Sequence, residues 1–454
     1  MRISGLAAEW RPMLRLAIPV VVAELGWTAM ATVDTIMVGR LGAEAIGAVA
    51  LGSAVFLGVT IFGMGLLLGL DTMTSQAYGA GDLRDCHRSL IHGIYMALFL
   101  APPLTLLLWG IIGLLPRFGI EPAVLELTLP YMRPVVWSLL PLLLYTACRR
   151  YLQATGHERV VMMTFIAANL MNAFVNWTLI FGKLGLPELG VRGAAWATLL
   201  SRFFMAVTLL ASIVYFDRRG PRMLFPLPLG VEGARLRRLL GLGIPAALQI
   251  TLEVGLFALA TALAARLDAA SLAAHQIAIT VASTTFMVPY GISSAAAVRV
   301  GHAVGRRDTE GVVRAGWMAL ALGLSFMATA ALSLLSFPRA IISFFTSDVS
   351  VMAVGVSLLF VAALFQLFDG LQVVTIGILR GLGDTRTPMI AALIGYWVLG
   401  LPAGYSLAFP LGFGIQGLWV GMLVGLFSVG VALLSVWMRR IRSGRIHPEG
   451  APGA

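Results

Sequence analysis

Two stretches, "IPVVVAELGWTAMATVDTIMVGRLGA" (residues 18–43) and "IPAALQITLEVGLFALATALAARLDA" (residues 244–269), show that the chain is built twice. Each is an apolar run long enough to cross a bilayer as a helix. Shifting the chain by 226 residues sets Ile18–Pro19 on Ile244–Pro245 and Arg40–Leu41 on Arg266–Leu267. The same shift sets Gly79 on Gly305, Asp82 on Asp308 and Arg88 on Arg314. One residue more, and Gly156 meets Gly383, Arg159 meets Arg386 and Met162 meets Met389. A shift this constant over so much chain marks an internal repeat.

Composition agrees with a bilayer as solvent. Of the 454 residues 59% are hydrophobic and only 12% charged, against roughly 25% charged in soluble domains. The mean hydropathy is +0.90. Apolar runs between polar or turn-rich breaks predict twelve transmembrane helices: 13–37, 44–70, 89–115, 124–147, 160–182 and 190–216, then 239–265, 269–297, 313–337, 350–379, 388–409 and 414–438. The expected fold is an all-α polytopic membrane protein with two six-helix lobes. Six spans return the chain to its starting side, so the repeats are parallel. The divisions are residues 1–216 for the first lobe, a linker at 217–238, the second lobe at 239–438 and a basic tail at 439–454. The basic, then apolar, start lacks a small-residue cleavage site and reads as the first span instead of a leader peptide.

A net charge of +11 would raise nucleic acid as a partner for a soluble chain. Here the arginines fall mostly in alternate loops and near the ends, so the charge sets topology, and both termini are expected in the cytoplasm. Cys86 and Cys148 fall near cytoplasmic helix ends, where a disulfide is not expected. No Cys/His spacing resembles a metal site, and no nucleophile–base pair points to an enzyme.

Carboxylates inside spans carry the functional signal. Asp34 and Glu24 lie in the first span, Glu253 in the seventh and Asp369 in the tenth. A charge at a helix centre costs about 2.5–3.5 kcal/mol on insertion scales, and is retained where it faces water, pairs, takes a proton or holds a cation. The shifts set Asp34 on Ala260, Glu253 on Trp27 and Asp369 on Leu142, so none of the three is a symmetric requirement of the fold. Glu24, ten residues before Asp34, points elsewhere around the helix; structural and substrate-contacting roles both stay open for it. Asn172 and Asn176 share a helix face, and Thr198 lies in the next span. With Asp34 they offer hard oxygen ligands suited to a small cation such as Na⁺, a hydrogen-bonded pocket for a protonatable Asp34, or plain helix–helix hydrogen bonding. The four-residue spacings Gly65/Gly69 and Gly417/Gly421/Gly425 favour close helix packing.

The segments "IPVVVAELGWTAMATVDTIMVGRLGAEAIGAVALG", "LDTMTSQAYGAGD", "NLMNAFVNWTLIFGKLGLPELGVRGAAWAT" and "ILRGLGDTRTPMIAALIGYWVLGLPAGY" resemble the multidrug and toxic compound extrusion (MATE) transporters over nearly the whole chain. The acids Glu253 and Asp369 in the second lobe make the NorM-type branch the nearer match. The resemblance implies an antiporter of the inner membrane, monomeric and without a cofactor, that exports organic cations in exchange for Na⁺ or H⁺. It implies a cation site at Asp34, Asn172, Asn176 and Thr198, with Glu253 and Asp369 serving cation coupling and drug binding. A lipid-linked oligosaccharide flippase of the same broader superfamily is the alternative. Such proteins carry more basic cavities, and Arg133 and Arg202 are the mid-membrane basic residues here.

Overall fold

The computed structural model describes residues 3–219 and 230–444; parts of the expected linker and basic tail, and the extreme termini, lie outside them. Every regular element in the described residues is helical. The order is α1 (Ile3–Gly39), α2 (Ala43–Leu66), α3 (Gly69–Gly79), α4 (Leu83–Leu114), α5 (Pro122–Trp137), α6 (Leu139–Ala154), α7 (Glu158–Ile180) and α8 (Val191–Arg219). It continues with α9 (Gly233–Ala264), α10 (Ala269–Gly305), α11 (Thr309–Ser336), the short α12 (Pro338–Ser343), α13 (Val349–Gly381), α14 (Arg386–Ala392), a π-helical stretch Leu393–Gly400, α15 (Leu401–Ala408) and α16 (Gly414–Ser443).

Among the described residues eleven helical spans are long and apolar enough to cross a membrane, and twelve if the α5–α6 pair, bent by 44°, counts as one span. The protein is thus a multi-pass membrane protein with the expected number of spans. The bend falls at Ser138, inside the apolar run expected as one helix over 124–147. Ser138 turns its hydroxyl back to the Val135 carbonyl at 2.5 Å, a local bond that competes with the helical ladder.

The repeat positions have local causes. Asp82 caps α4 by accepting the Asp85 amide at 2.9 Å, and its repeat partner Asp308 caps α11 by accepting the Gly311 amide at 2.8 Å. Such caps satisfy amides that a helix start leaves without partners. Gly156 and Gly383 both take a left-handed backbone, φ 81° and 88°, which only glycine adopts without strain.

Two compact units emerge from packing: Val22–Ala247, and Met1–Val21 together with Leu248–Ala454. The boundaries differ from the expected division in the linker. Both cuts fall inside helices, α1 and α9, and Val21 and Ala247 are themselves in repeat register. The cause is side-chain packing. Met13, Leu16, Ala17 and Val20 share a core with Leu256, Leu358, Phe365 and Trp419, whereas Leu239 and Ala247 share one with Leu66, Leu143, Tyr145 and Phe165.

Within each unit the four-residue glycine spacing does what the sequence leads one to expect. A Cβ on Gly65 would lie 2.6 Å from the Ala247 Cα, and one on Gly421 would lie 2.1 Å from the Gly404 Cα. Helix backbones therefore touch at these positions. Large apolar side chains such as Phe99, Leu106, Leu170 and Leu332 point outward, as lipid-facing residues do.

Candidate functional site

The unit Val22–Ala247 gathers Asp34 from α1, Asn172 and Asn176 from α7 and Thr198 from α8. Asn176 donates through Nδ2 to the Asp34 Oδ1 at 2.5 Å and to the Asn172 Oδ1 at 3.0 Å. The two asparagines are fully buried, while Asp34 is partly exposed. Asn172 and Thr198 also stand beside the Asp34 carboxylate. The Thr198 hydroxyl also reaches the Ala194 carbonyl of its own helix at 3.1 Å. The Asn176 Oδ1 is buried with no hydrogen-bond partner. The Asn172 Nδ2 is likewise buried without a partner, and each orphaned polar atom costs about 1–3 kcal/mol. The four residues the sequence singled out are thus brought together. The set of one carboxylate, two amide oxygens and one hydroxyl fits a hard monovalent cation.

Of the two mid-membrane arginines noted in the sequence, one lies by this set and the other does not; Ser138, Phe56, Ser53 and Tyr131 went unnoticed. Arg202, one turn from Thr198 on α8, donates through Nη1 to the Ser138 Oγ at 2.5 Å. Its guanidinium carbon lies 4.4 Å from the centre of the Phe56 ring. Tyr131 shares a hydrogen bond of 3.1 Å with Ser53. Arg133 is exposed.

Glu24 is placed apart from Asp34. It makes a buried salt bridge with Arg149 of α6, and next to it Arg150 pairs with Asp71 of α3 at 3.3 Å. Both arginines count as cytoplasmic loop charges by the positive-inside rule, yet they are only 7% and 5% exposed. Nothing in the local pattern reveals this, because the partners are 125 and 79 residues away.

In the other unit, α9 supplies Glu253 and α13 supplies Asp369. Gln372, fully buried one turn from Asp369, bridges them: its Nε2 lies 3.1 Å from the Glu253 Oε1 and 3.2 Å from the Asp369 Oδ1. Gln249, one turn before Glu253 on α9, donates to its Oε2 at 2.7 Å. The Tyr396 hydroxyl donates to the Gln372 Oε1, and Trp397 donates to the Leu252 carbonyl at 3.1 Å. Both aromatics come from the π-helical stretch, a rare geometry that gathers at functional sites. Among the described residues the side chains that interact with Glu253 and Asp369 are Gln249, Gln372, Tyr396 and each other, with no basic residue. Asp369 is buried and Glu253 partly exposed, and a carboxylate withdrawn from water without a positive partner calls for a proton or a cation. Gln249 and Gln372 carry a legible signal, being four and three residues from an acid on the same helix; Tyr396 carries none.

Among the described residues no cluster of three His, Cys, Asp or Glu side chains could hold a metal ion.

Known proteins give this arrangement its family. The MatE sequence profile matches residues 19–178 and again 245–406, once in each repeat. The chain is 40% identical to the "Probable multidrug resistance protein NorM" of Mesorhizobium japonicum over 96% of its length and 94% of the relative's. It is 37% identical to the protein of the same name from Deinococcus radiodurans, over 96% and 97% of the two chains. Its fold superposes on the crystal structure of the eukaryotic MATE transporter AtDTX14 with a TM-score of 0.85 at 22% identity, covering 97% of this chain and all of the other. With both repeats matched and these relatives aligned almost end to end, the chain belongs to the MatE family, in its NorM-type branch.

Proposed function

We propose that this protein is a multidrug efflux antiporter that exports lipophilic organic cations in exchange for Na⁺ or H⁺ by alternating access. The observation that carries the reading is the Glu253–Asp369 pair, one carboxylate buried and one partly exposed, bridged by one amide and with no basic partner among the described residues. Such a pair attracts a cation strongly, and apolar contact is not directional, so many lipophilic cations are acceptable to it. The acidity of this site favours cationic cargo over the pyrophosphate of a lipid-linked oligosaccharide. The Asp34 pocket, with its buried open oxygen on Asn176, takes the coupling cation through Asp34, Asn172, Asn176 and Thr198.

Coupling follows from linkage. If the inbound ion favours the conformation that releases drug, then drug disfavours the ion by the same factor. A factor of ten corresponds to about 1.4 kcal/mol, well within what one carboxylate contact supplies. The protein works as a monomer in the inner membrane, with its termini in the cytoplasm and no cofactor beyond the coupling ion.

The test is reconstitution in liposomes loaded with ethidium, with Na⁺ and H⁺ gradients imposed separately. Ethidium flux driven by one gradient supports the antiporter and identifies the ion. Absence of flux with either gradient, from protein that elutes as a single folded species, overturns it.

A further inference from the structure

Asp34 and Glu253 ride on α1 and α9, the two helices that change compact unit part-way along. The leading end of α1 packs in the unit that contains Glu253 and Asp369, and the leading end of α9 packs in the unit that contains Asp34. Each leading end is held there by charge. Arg299 of α10 donates to the Glu9 Oε1 of α1 through Nε at 2.7 Å and through Nη2 at 2.5 Å. Arg235 of α9 donates through Nη2 to the Asp85 Oδ1 of α4 at 2.7 Å and reaches the Ser89 Oγ at 3.3 Å. Just ahead of α9, the Glu232 amide donates to the Nε2 of the buried His92 at 2.9 Å, and the Glu232 carboxylate takes the Arg235 Nε at 3.2 Å. Glu9 and Arg235 coincide under the 226-residue shift, so the anchor position repeats while its sign is reversed.

We propose that the Glu9–Arg299 and Arg235–Asp85 pairs are positioning contacts that couple the two acidic sites to each other. This rests on the antiporter reading above. Each unit holds one acidic site and grips the helix that carries an acid of the other. An ion entering the Asp34 pocket acts on α1, which Glu9 fixes to α10 in the unit of Glu253 and Asp369. A lipophilic cation at Glu253 acts on α9, which Arg235 fixes to α4 in the unit of Asp34. Both helices run unbroken through the change of unit, and helix shifts of about 1–2 Å are enough to switch packed elements. Glu9 lies 25 residues before Asp34 and Arg235 lies 18 before Glu253, about 38 and 27 Å along the helix, so neither charge touches the acid it accompanies. Partly exposed ion pairs add little to stability. Cutting one slackens the connection without emptying either site, and the linkage between ion and drug fails while each still binds.

The readout is the effect of one ligand on the other. Tetraphenylphosphonium affinity is measured by equilibrium binding in detergent, first in choline at alkaline pH, then with sodium in place of choline, then on acidification. The proteins are wild type, Asp34→Asn, Arg299→Glu, Glu9→Arg/Arg299→Glu and Arg235→Met. Competition at Glu253 itself survives Asp34→Asn, so the part of the affinity shift that Asp34→Asn removes is the part that passes between the sites. That part is expected to be roughly ten-fold in wild type and less than about two-fold in Arg299→Glu and in Arg235→Met. The exchanged pair Glu9→Arg/Arg299→Glu is expected to regain it. Affinity in choline at alkaline pH is expected to match wild type in all three clasp variants.

The inference is overturned if Arg299→Glu or Arg235→Met keeps the Asp34-dependent shift, if the exchanged pair does not regain it, or if wild type shows none. A purely structural role for the pairs would lower the unfolding temperature or the affinity in choline and leave the shift in place. If Arg299→Glu fails to fold, Glu9→Gln, which removes one charge at a partly exposed position, carries the same expectation, and a retained shift in Glu9→Gln overturns the inference. Gradient-driven ethidium exchange by the wild type in liposomes decides the antiporter reading separately. Its absence under either gradient overturns that reading, whereas the binding arm decides the role of the ion pairs by itself.

Discussion

Asn176 donates its side-chain amide to the Asp34 carboxylate across 2.5 Å and so ties α7 to α1. The bond joins residues 142 apart in sequence, and the same amide also serves Asn172 one turn away. Asp34→Asn can keep a hydrogen bond to Asn176 while removing the charge. We therefore expect Asp34→Asn to insert and fold with a near-normal unfolding temperature and to lose gradient-driven export by at least about 100-fold. Asn176→Leu strips the donor from a partly buried carboxylate and should destabilise by about 1–3 kcal/mol. Ethidium efflux and thermal unfolding measure the two effects. Normal export by Asp34→Asn would make Asp34 a structural carboxylate.

Gln372 is the hinge of the second site, because it gives its amide to both acids and its oxygen to Tyr396. Gln372→Leu leaves two carboxylates without their shared donor and Tyr396 without its acceptor. Binding of tetraphenylphosphonium should weaken by about ten-fold, the equivalent of one charge-assisted hydrogen bond. Tyr396→Phe removes only the outer bond and should cost a few-fold. Equal affinities in wild type and Gln372→Leu, by equilibrium binding in detergent, would mean that the acids do not hold the organic cation.

How much of this was legible depends on the reach of each interaction. Asp34, Asn172, Asn176 and Thr198 stand out because a polar residue in an apolar run is costly, and Asn172 and Asn176 recur at helical spacing. The twelve spans and the parallel repeat were readable for the same reason: bilayer thickness sets run length, and repetition shows in a constant shift. Tyr396 was not readable, since its direction is set by the π-helical stretch Leu393–Gly400, whose register departs from the 3.6-residue period. That Arg149 and Arg150 are buried and paired was not readable, because the positive-inside rule counts arginines without seeing that Glu24 and Asp71 meet them inside the unit. The bend at Ser138 lies between Pro134 and Pro141, breaker residues that the length of the apolar run outweighed.

The Glu24–Arg149 salt bridge makes the two roles of Glu24 separable by experiment. Breaking a buried pair leaves a bare charge and costs about 3–5 kcal/mol, whereas replacing both partners by apolar residues is often neutral. Arg149→Met should therefore lower stability by that amount, and Glu24→Met/Arg149→Met should recover most of it. Glu24→Gln should leave the tetraphenylphosphonium affinity within about two-fold of wild type. A larger loss of affinity in a folded Glu24→Gln would instead place Glu24 at the drug.

Gly421 offers the most direct test of how α16 packs. It occupies the middle of the Gly417/Gly421/Gly425 row, and a Cβ there would come within 2.1 Å of the Gly404 Cα and 2.7 Å of the Gly400 carbonyl oxygen. Those are backbone atoms, which cannot turn aside as a side chain can. The π-helical stretch that presents Tyr396 runs along this same face, since a Cβ on Gly425 would lie 3.0 Å from the Gly395 carbonyl oxygen. Gly421→Leu must therefore push α15 and the π-helical stretch away from α16, at a cost above the roughly 1–3 kcal/mol of ordinary overpacking. We expect little monodisperse protein from Gly421→Leu after extraction. Gly58→Leu on α2, where a Cβ meets nothing within 4 Å, should express and elute like wild type. Gly421→Ala is the graded case: a folded protein with weakened tetraphenylphosphonium binding would show that the glycine row positions Tyr396 and Gln372, while unchanged binding would confine the row to packing.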